Sequence, residues 1–212
     1  DKTADVCIGN KGIGFKAVFQ VSDRPEVHSN GYHFRFDRNN HGPFGTVIPE
    51  WIDGASDSRG TRIVLPLRTD YALPPEFLKS LQPELLLFLR RLKRLEFHDV
   101  DYGQAVVLRR SDDGPNVEVT RTVTDSVEKQ RSGEQRHSFR VHSLRISMAD
   151  IHESRRSNIE TTDVAIAMPL DADGNVNETQ SRSLFAFLPV KDSGLRFLAH
   201  ADFVLATSRE TV

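Results

Sequence analysis

The sequence predicts a mixed fold of the α/β (α+β) class, and three of its stretches support this class. A glycine-rich stretch, residues 9–15, leads directly into a short apolar run, as at the start of a helix. Leucines recur every three or four residues between positions 78 and 95, as on one face of a helix. Beyond residue 96, short apolar or alternating runs follow one another between turn residues, which indicates consecutive strands.

The length, net charge and cysteine content of the chain limit how many domains it can form and which partners it can attract. With 212 residues, the chain can form one large domain or two modest ones. Its 28 basic and 30 acidic residues give a formal charge of −2, so no overall field attracts nucleic acid or an anionic membrane. The single cysteine, Cys7, cannot form an intrachain disulfide and is expected to be a small buried apolar residue. There is no apolar run long enough to span a membrane.

The glycine-rich stretch has the character of a phosphate-binding loop. Gly9, Gly12 and Gly14 lie within six residues and precede a short helix predicted over residues 14–20. Backbone N–H groups in such a loop and at such a helix start can face an anion. Spacing alone leaves the alternative open that the loop is only a tight connection.

The next part of the chain predicts a hairpin and two further strands. Residues 26–29 and 32–37 flank Asn30-Gly31, which favours a two-residue turn because both positions tolerate positive φ. A loop over residues 39–45 and a short strand over 46–48 should follow. Residues 60–67 predict a buried central strand after a polar loop.

The letters GNKGIGFKAVF resemble the ATP-lid motif, GxxGxGF plus helix, of the gyrase, heat-shock chaperone, histidine kinase and MutL (GHKL) ATPase superfamily. Among its branches, residues 8–37 look most like the sacsin and NO VEIN group of large eukaryotic proteins. The resemblance implies a Bergerat-type ATP-binding α/β sandwich, of which this chain holds the C-terminal part. It also implies ATP contacts along the lid, at Gly9, Asn10, Lys11, Gly12, Ile13, Gly14 and Phe15.

A second nucleotide contact is implied by the start of the 60–67 strand. Gly60-Thr61 is similar to a further GHKL motif, in which the threonine hydroxyl joins the hydrogen-bond network around adenine. A hydroxyl can both donate and accept in that network. The alternative is that Thr61 is an ordinary strand residue.

Three residues of the GHKL pattern do not occur in this chain: a catalytic Glu, a Mg²⁺-holding Asn and the adenine-reading Asp of a DxGxG turn. In the family these precede the lid. We therefore expect the chain to be a fragment of a longer protein, with ATP and Mg²⁺ as cofactors, the metal ligand lying upstream, and little or no ATPase activity in the fragment alone.

The leucine-rich segment predicts helices and a domain boundary. Pro83 is expected to begin a second helix, since proline is tolerated in the first turn. The basic cluster, which comprises Arg90, Arg91, Lys93 and Arg94, would lie on this helix opposite its leucines, either as a solvated face or as a nucleic-acid patch. We place the boundary near residue 95, between a partial ATP-binding domain (1–95) and a β-rich transducer-like domain (96–212).

The second half predicts strands over residues 105–109, 117–123, 139–146 and 164–168, with residues 121–135 as a hairpin end or loop. Residues 171–178 carry the oxygen donors of a calcium loop, but the glycine stands at the fourth position rather than the sixth, so a hairpin turn is preferred. The histidines fit no standard zinc spacing, and we predict no metal ligand.

The C-terminal stretch HADFVLATSRE, residues 200–210, resembles the middle-domain segment of the ninety-kilodalton heat-shock chaperones. In that family the segment donates an arginine to the γ-phosphate of ATP, which makes Arg209 the candidate catalytic residue here. Ala206 departs from the family, which has a polar amide at this position. The alternative is a strand that runs into a surface loop.

The resemblance implies an ATP-binding, ATP-hydrolysing, chaperone-like module of a large multidomain protein, in which nucleotide binding drives domain docking. It would be cytoplasmic or nuclear and would bind ATP and unknown protein clients or other domains of the parent chain. A membrane is not expected as a partner, and nucleic acid is disfavoured. A catalytically inactive GHKL-fold scaffold and a MORC-like chromatin ATPase are the alternatives, and a histidine kinase is disfavoured because no dimerisation helix is visible.

Overall fold

The computed structural model describes residues 14–54, 60–74, 77–125, 130–148, 160–177 and 182–203. The chain divides into two compact units between residues 74 and 75. The described residues are mostly strands with a few short helices, which confirms the predicted mixed, β-rich α+β class. Among these residues no helix is long and apolar enough to cross a membrane.

The first unit contains a four-stranded antiparallel sheet. Its strands are β1 (Glu26–Ser29), β2 (Tyr32–Arg35), β3 (Glu50–Trp51) and β4 (Thr61–Val64), in the spatial order β3-β2-β1-β4. Two 3₁₀ helices, Phe15–Gln20 and Gly42–Phe44, flank the hairpin.

The β1–β2 hairpin confirms the prediction made from Asn30-Gly31. Ser29 pairs with Tyr32 across the turn, and the turn residues have φ angles of 48° and 81°. Positive φ at both positions is the geometry of a type I′ turn, whose twist matches the flanking strands.

Two strand predictions in this unit are wrong. Residues 46–48 form a turn, in which the N–H groups of Val47 and Ile48 both donate to the carbonyl of Phe44, and the strand lies at Glu50–Trp51 instead. The predicted buried central strand at 60–67 is an edge of the described sheet: β4 pairs with β1 alone, and Ile63 is 49% exposed.

Gly45 and Gly14 form a matched pair for a stability test, since both have φ near −58°. A methyl group at Gly45 would overlap the main-chain carbonyl oxygens of Asp37, Arg38 and Asn40, whereas one at Gly14 would meet nothing within 4 Å. We expect Gly45→Ala to lower the free energy of unfolding of this unit by about 1–3 kcal/mol and Gly14→Ala to leave it unchanged.

The measurement is urea unfolding followed by the fluorescence of Trp51, the single tryptophan of the chain, which lies in this unit. Equal unfolding midpoints for the two variants would contradict the steric account.

The second unit contains an eight-stranded sheet in the order β11-β10-β12-β9-β8-β7-β6-β5. All neighbouring strands pair antiparallel except β10 and β12, which are parallel. The strands are β5 (Arg94–Asp99), β6 (Gln104–Asp113), β7 (Asn116–Asp125), β8 (Gln130–Ser147), β9 (Thr161–Leu170), β10 (Arg182–Ala186), β11 (Leu188–Leu195) and β12 (Leu198–Ala201).

The four strands predicted in the second half are confirmed as parts of β6, β7, β8 and β9. Pairing in β7 and β8 continues as far as Asp125 and Gln130, so the described residues of 121–135 form the end of a hairpin, the first of the two predicted alternatives, and are strand and not loop. Gly133 lies inside β8 with φ of 144°, beside a shift in register opposite Val123, rather than in a turn. The predicted hairpin turn at residues 171–174 is confirmed, since Asp171 Oδ1 accepts from the N–H groups of Asp173 and Asn175.

Helix α1 (Phe77–Ser80) and a 3₁₀ helix (Pro83–Leu86) pack on one face of this sheet. Their leucines join a core built from alternate residues of the strands, since every second side chain of a strand faces the same way. The buried members are Leu86, Leu87, Phe88, Val106, Leu108, Val117, Val119, Phe139, Ala165, Ala167, Phe185 and Leu198. The leucine-rich segment, which the sequence assigned to the first domain, therefore packs within the second unit.

Two arginines of the sheet attach this helical segment by its main chain. Arg110 Nη1 donates to the carbonyls of Leu86 at 2.9 Å, Leu87 at 2.5 Å and Leu89 at 3.4 Å. Arg121 donates to the carbonyls of Leu81 and Leu78 at 3.3 and 3.4 Å. These contacts satisfy carbonyls that the short helices leave without an intrahelical partner.

The predicted helix begins at Pro83 as expected, but it is a four-residue 3₁₀ helix, and its predicted extension through the basic cluster is wrong. The chain leaves the helical conformation after Leu86 and enters β5 at Arg94, which pairs with β6. The basic cluster is therefore not a helix face: Lys93 forms an ion pair with Asp112, and Arg94 forms one with Glu96.

Candidate functional site

One face of the four-stranded sheet gathers aromatic and hydroxyl side chains. Directly paired residues of neighbouring strands share a face, and the register places Val27, Phe34, Trp51 and Ile63 in one row. A second row holds Tyr32, Ser29 and Thr61. We call these seven residues the aromatic face.

The aromatic face is open to solvent over much of its area. Tyr32 is 63% exposed and Trp51 is 70% exposed. Their ring centroids lie 6.2 Å apart, and the Trp51 ring also contacts Phe34 at 6.0 Å. Contiguous exposed aromatic side chains of this kind mark ligand-binding or interaction surfaces.

The end of the predicted lid reaches this face through Phe36. Phe15, the last lid residue, packs on Phe36 with ring centroids 5.6 Å apart, and Phe36 packs edge-on against Phe34 at 5.8 Å. Phe19, which is 3% exposed, contacts Phe36 as well. The first 3₁₀ helix is thus fixed to the Phe36 end of the aromatic face by aromatic packing.

Thr61 lies at the other end of the same face. Its Oγ1 is 2.8 Å from Ser29 Oγ, and both hydroxyls are exposed. The preceding Gly60 has φ of 103°, a conformation that favours glycine. Because each hydroxyl can donate and accept, the pair retains hydrogen-bonding capacity toward a ligand.

The remaining predicted site residues divide between described and undescribed parts of the chain. Gly14 is described, as the residue before the first helix, and a methyl group added there would meet no described atom within 4 Å. Gly9, Asn10, Lys11, Gly12 and Ile13 lie outside the described residues, as does Arg209. The structure describes the C-terminal stretch as far as Phe203, with His200 and Ala201 in β12 as expected for a strand there.

The opposite face of the sheet is occupied by charged side chains that pair with one another. Glu50 accepts from Arg35 Nε at 3.0 Å and lies 3.2 Å from His41 Nε2. The hydrogen bond from Arg35 lowers the pKa of Glu50 below its ordinary value. Nδ1 of His28 lies 2.9 Å from Nδ1 of His33. Within the described residues, no three His, Cys, Asp or Glu side chains are placed to hold a metal ion.

The predictions from sequence did not include Ser29, Tyr32 and Trp51 among the residues of the candidate site. The alternation of Tyr32 with Phe34 and Phe36 indicated that one side of β2 is apolar. Which residues of β1, β3 and β4 share that side depends on strand register, and register depends on pairings between distant parts of the chain.

No protein-family model matches the chain, and no solved structure matches it. The chain is similar to Protein NO VEIN of Arabidopsis thaliana, with 33% identity over 232 aligned residues. The alignment covers 97% of this chain and 8% of that protein, so the chain spans a small part of the curated relative it matches. This similarity supports the expected relationship to NO VEIN-like proteins, whereas the wider GHKL resemblance stays a prediction.

Proposed function

We propose that this chain is the lid-bearing part of an ATP-binding module that hydrolyses ATP in its complete form, with the nucleotide lying along the aromatic face. One observation carries the proposal. Phe15 and Thr61 were singled out by separate motifs far apart in sequence. Thr61 belongs to the aromatic face, and Phe15 packs on Phe36, which contacts Phe34 at the other end of that face.

The dimensions of the face suit such a ligand. Phe36 and Tyr32 are four residues apart along the β2 strand direction, which corresponds to about 13 Å at the rise of a strand. An extended nucleoside triphosphate spans a comparable length. In the proposed arrangement the base lies near the Ser29–Thr61 hydroxyls and the phosphates extend toward the lid.

The phosphate end would depend on the lid and on a second-unit arginine. Backbone amides near Gly12 and Gly14 would face the phosphates, with Lys11 as a cationic contact. Arg209 would approach the γ-phosphate on domain docking. The Mg²⁺ ligand, the adenine-reading Asp and the catalytic Glu would have to come from residues outside this chain.

We expect Thr61→Val to weaken ATP binding about fivefold to tenfold, since a hydrogen bond to a ligand contributes about 1–1.5 kcal/mol. The change removes the hydroxyl and preserves the side-chain shape. Binding can be followed in the 212-residue chain by the fluorescence of Trp51, which lies on the aromatic face. The titration should extend to millimolar ATP, because the chain lacks the adenine-reading Asp.

Thr124→Val is the matched control, as Thr124 is an exposed strand residue on β7 in the second unit. The proposed base position would be overturned if ATP does not change the Trp51 fluorescence of the wild-type chain. It would also be overturned if Thr61→Val and Thr124→Val bind ATP with equal affinity. If neither the wild-type chain nor either variant responds to ATP, the scaffold alternative is favoured, in which the aromatic face contacts protein.

The chromatin ATPase alternative gains nothing from the basic cluster. Two of its four cations, Lys93 and Arg94, already pair with carboxylates of the same sheet. Salt-dependent DNA retention would be required to revive that alternative.

A further inference from the structure

His200 is a buried titratable residue at the centre of an aromatic cluster in the second unit. It lies on β12 and is 7% exposed. Its ring stacks on Phe88 with centroids 4.9 Å apart and planes at 17°, and it meets the edge of Phe187 at 4.8 Å. Nucleotide binding, as proposed above, makes no use of this residue.

One ring nitrogen of His200 faces both a donor and an acceptor of the main chain. Nδ1 lies 3.2 Å from the N–H nitrogen of Phe187 and 3.1 Å from the carbonyl oxygen of Phe185. A nitrogen with a free lone pair accepts from the N–H, whereas a protonated nitrogen donates to the carbonyl. The two bonds therefore exclude each other, and the protonation of Nδ1 selects between them.

The main-chain N–H that His200 can accept from belongs to Phe187, a residue with a strained backbone. Phe187 is the single residue between β10 and β11 and has φ of 64°, a left-handed conformation that is uncommon for a bulky side chain. Such conformations persist only when surrounding contacts hold them. The hydrogen bond to His200 is one such contact.

Charged groups surround His200 from several elements. Asp163 on β9, Asp202 after β12 and Arg90 after the helical segment all act on it electrostatically. Asp163 itself is paired with Arg145, at 2.8 Å. Burial lowers the pKa of His200 below its ordinary value, and the hydrogen bond with the Phe185 carbonyl and the two carboxylates oppose that effect in part. The neutral ring is therefore the form that the folded protein favours.

We propose that His200 is a proton-operated latch on the β10–β11 turn. When neutral, its Nδ1 accepts from the Phe187 N–H and holds the turn closed. When protonated, Nδ1–H donates to the Phe185 carbonyl, and the Phe187 N–H loses its acceptor. The turn then opens more readily, so that mild acid loosens the edge of the sheet formed by β10 and β11.

The sign of the pH dependence follows from linkage. In the proposed open form the His200 ring reaches solvent, so its pKa rises toward its ordinary value of 6.5, whereas burial keeps the pKa lower in the closed form. Below about pH 6.5 the open form takes up a proton that the closed form refuses, so the opening equilibrium rises as pH falls, by up to about tenfold per pH unit for one proton. Above that pH the equilibrium is constant.

The test is amide hydrogen exchange of Phe187 in the wild-type chain between about pH 5 and pH 8, corrected for the intrinsic pH dependence of exchange. We expect protection to fall by up to about tenfold per pH unit below 6.5. Imidazole ¹⁵N shifts should show Nδ1 unprotonated at neutral pH. The proposed latch would be overturned if His200 Nδ1 carries a proton over the whole pH range. It would also be overturned if the protection of the Phe187 amide does not change with pH.

Two variants sharpen the result. His200→Asn keeps an acceptor oxygen near the position of Nδ1 but cannot titrate in this range, so the pH dependence of Phe187 exchange should vanish. His137→Asn is the control, because burial also lowers the pKa of His137, on β8, away from the turn. It should leave the Phe187 profile unchanged, and a profile lost equally in both variants would contradict the assignment to His200. The wild-type measurements stand by themselves if His200→Asn fails to fold.

Discussion

Replacing Arg110 with methionine is expected to lower the free energy of unfolding of the second unit by about 3–5 kcal/mol. The change keeps the length of the side chain but removes the donor that three carbonyls share. It also removes one of the two cationic partners of Asp112, which accepts from Arg110 Nε at 2.6 Å and also pairs with Lys93. Buried acceptors that lose their donor cost more than the bond itself contributed.

The matched control is Arg109→Met. Arg109 is the preceding residue of β6, is exposed, and directs its side chain to the opposite face of the sheet. Urea unfolding followed by far-ultraviolet circular dichroism reports mainly on the second unit, which holds most of the strands. Comparable losses in the two variants would show that the main-chain contacts of Arg110 do not stabilise the fold.

Replacing Arg209 with alanine is expected to reduce ATP turnover about a thousandfold in a protein that joins this chain to a complete nucleotide pocket, while ATP affinity changes much less. A guanidinium at the γ-phosphate stabilises charge that develops in the transition state, and contributions of this order are typical of such arginines. The variant should therefore lose turnover while it keeps most of its ATP affinity. A structural defect would lower both.

The control for Arg209→Ala is Arg140→Ala, which removes an exposed arginine from β8. Phosphate release under saturating ATP measures turnover, and nucleotide titration measures affinity. Unchanged turnover in Arg209→Ala would remove the inter-domain arginine from the proposed mechanism but would leave the nucleotide position on the aromatic face open to its own test.

Local chemistry made part of the fold predictable. Asn30-Gly31 required positive φ at two consecutive positions, and the hairpin formed there as expected. The runs that became β6, β7 and β9 alternate or are continuously apolar, which leaves few options besides strands in a sheet with one covered face.

Tertiary contacts decided the parts that sequence patterns misjudged. The leucine spacing after Pro83 fits a helix, but hydrogen bonds from Arg110 to carbonyls in the segment, together with pairing of β5 on β6, stop the helix at Leu86. The apolar run after Thr61 suggested a central strand. An apolar sequence, however, does not determine whether a strand pairs with one neighbouring strand or with two. Val47 and Ile48 turn back on Phe44 despite their strand propensity.

The candidate site was predictable only as separate pieces. Thr61 and Phe15 came from motif resemblance, and nothing in the sequence indicated that Thr61 shares one face with Ser29, Tyr32 and Trp51 or that Phe15 contacts the end of that face through Phe36. That arrangement arises from the register of β1 against both β2 and β4. Register is a property of long-range pairing, which single-sequence patterns do not encode.

Attachment of the helical segment through its peptide groups has an evolutionary consequence. Arg110 and Arg121 recognise carbonyl oxygens, which every amino acid supplies, so docking of this segment does not demand a fixed set of side chains. Divergent relatives can exchange one leucine for another apolar residue and alter the outward surface at little cost. We therefore expect exchanges of one apolar residue for another to be tolerated better within residues 77–89 than any replacement of the two arginines that hold them.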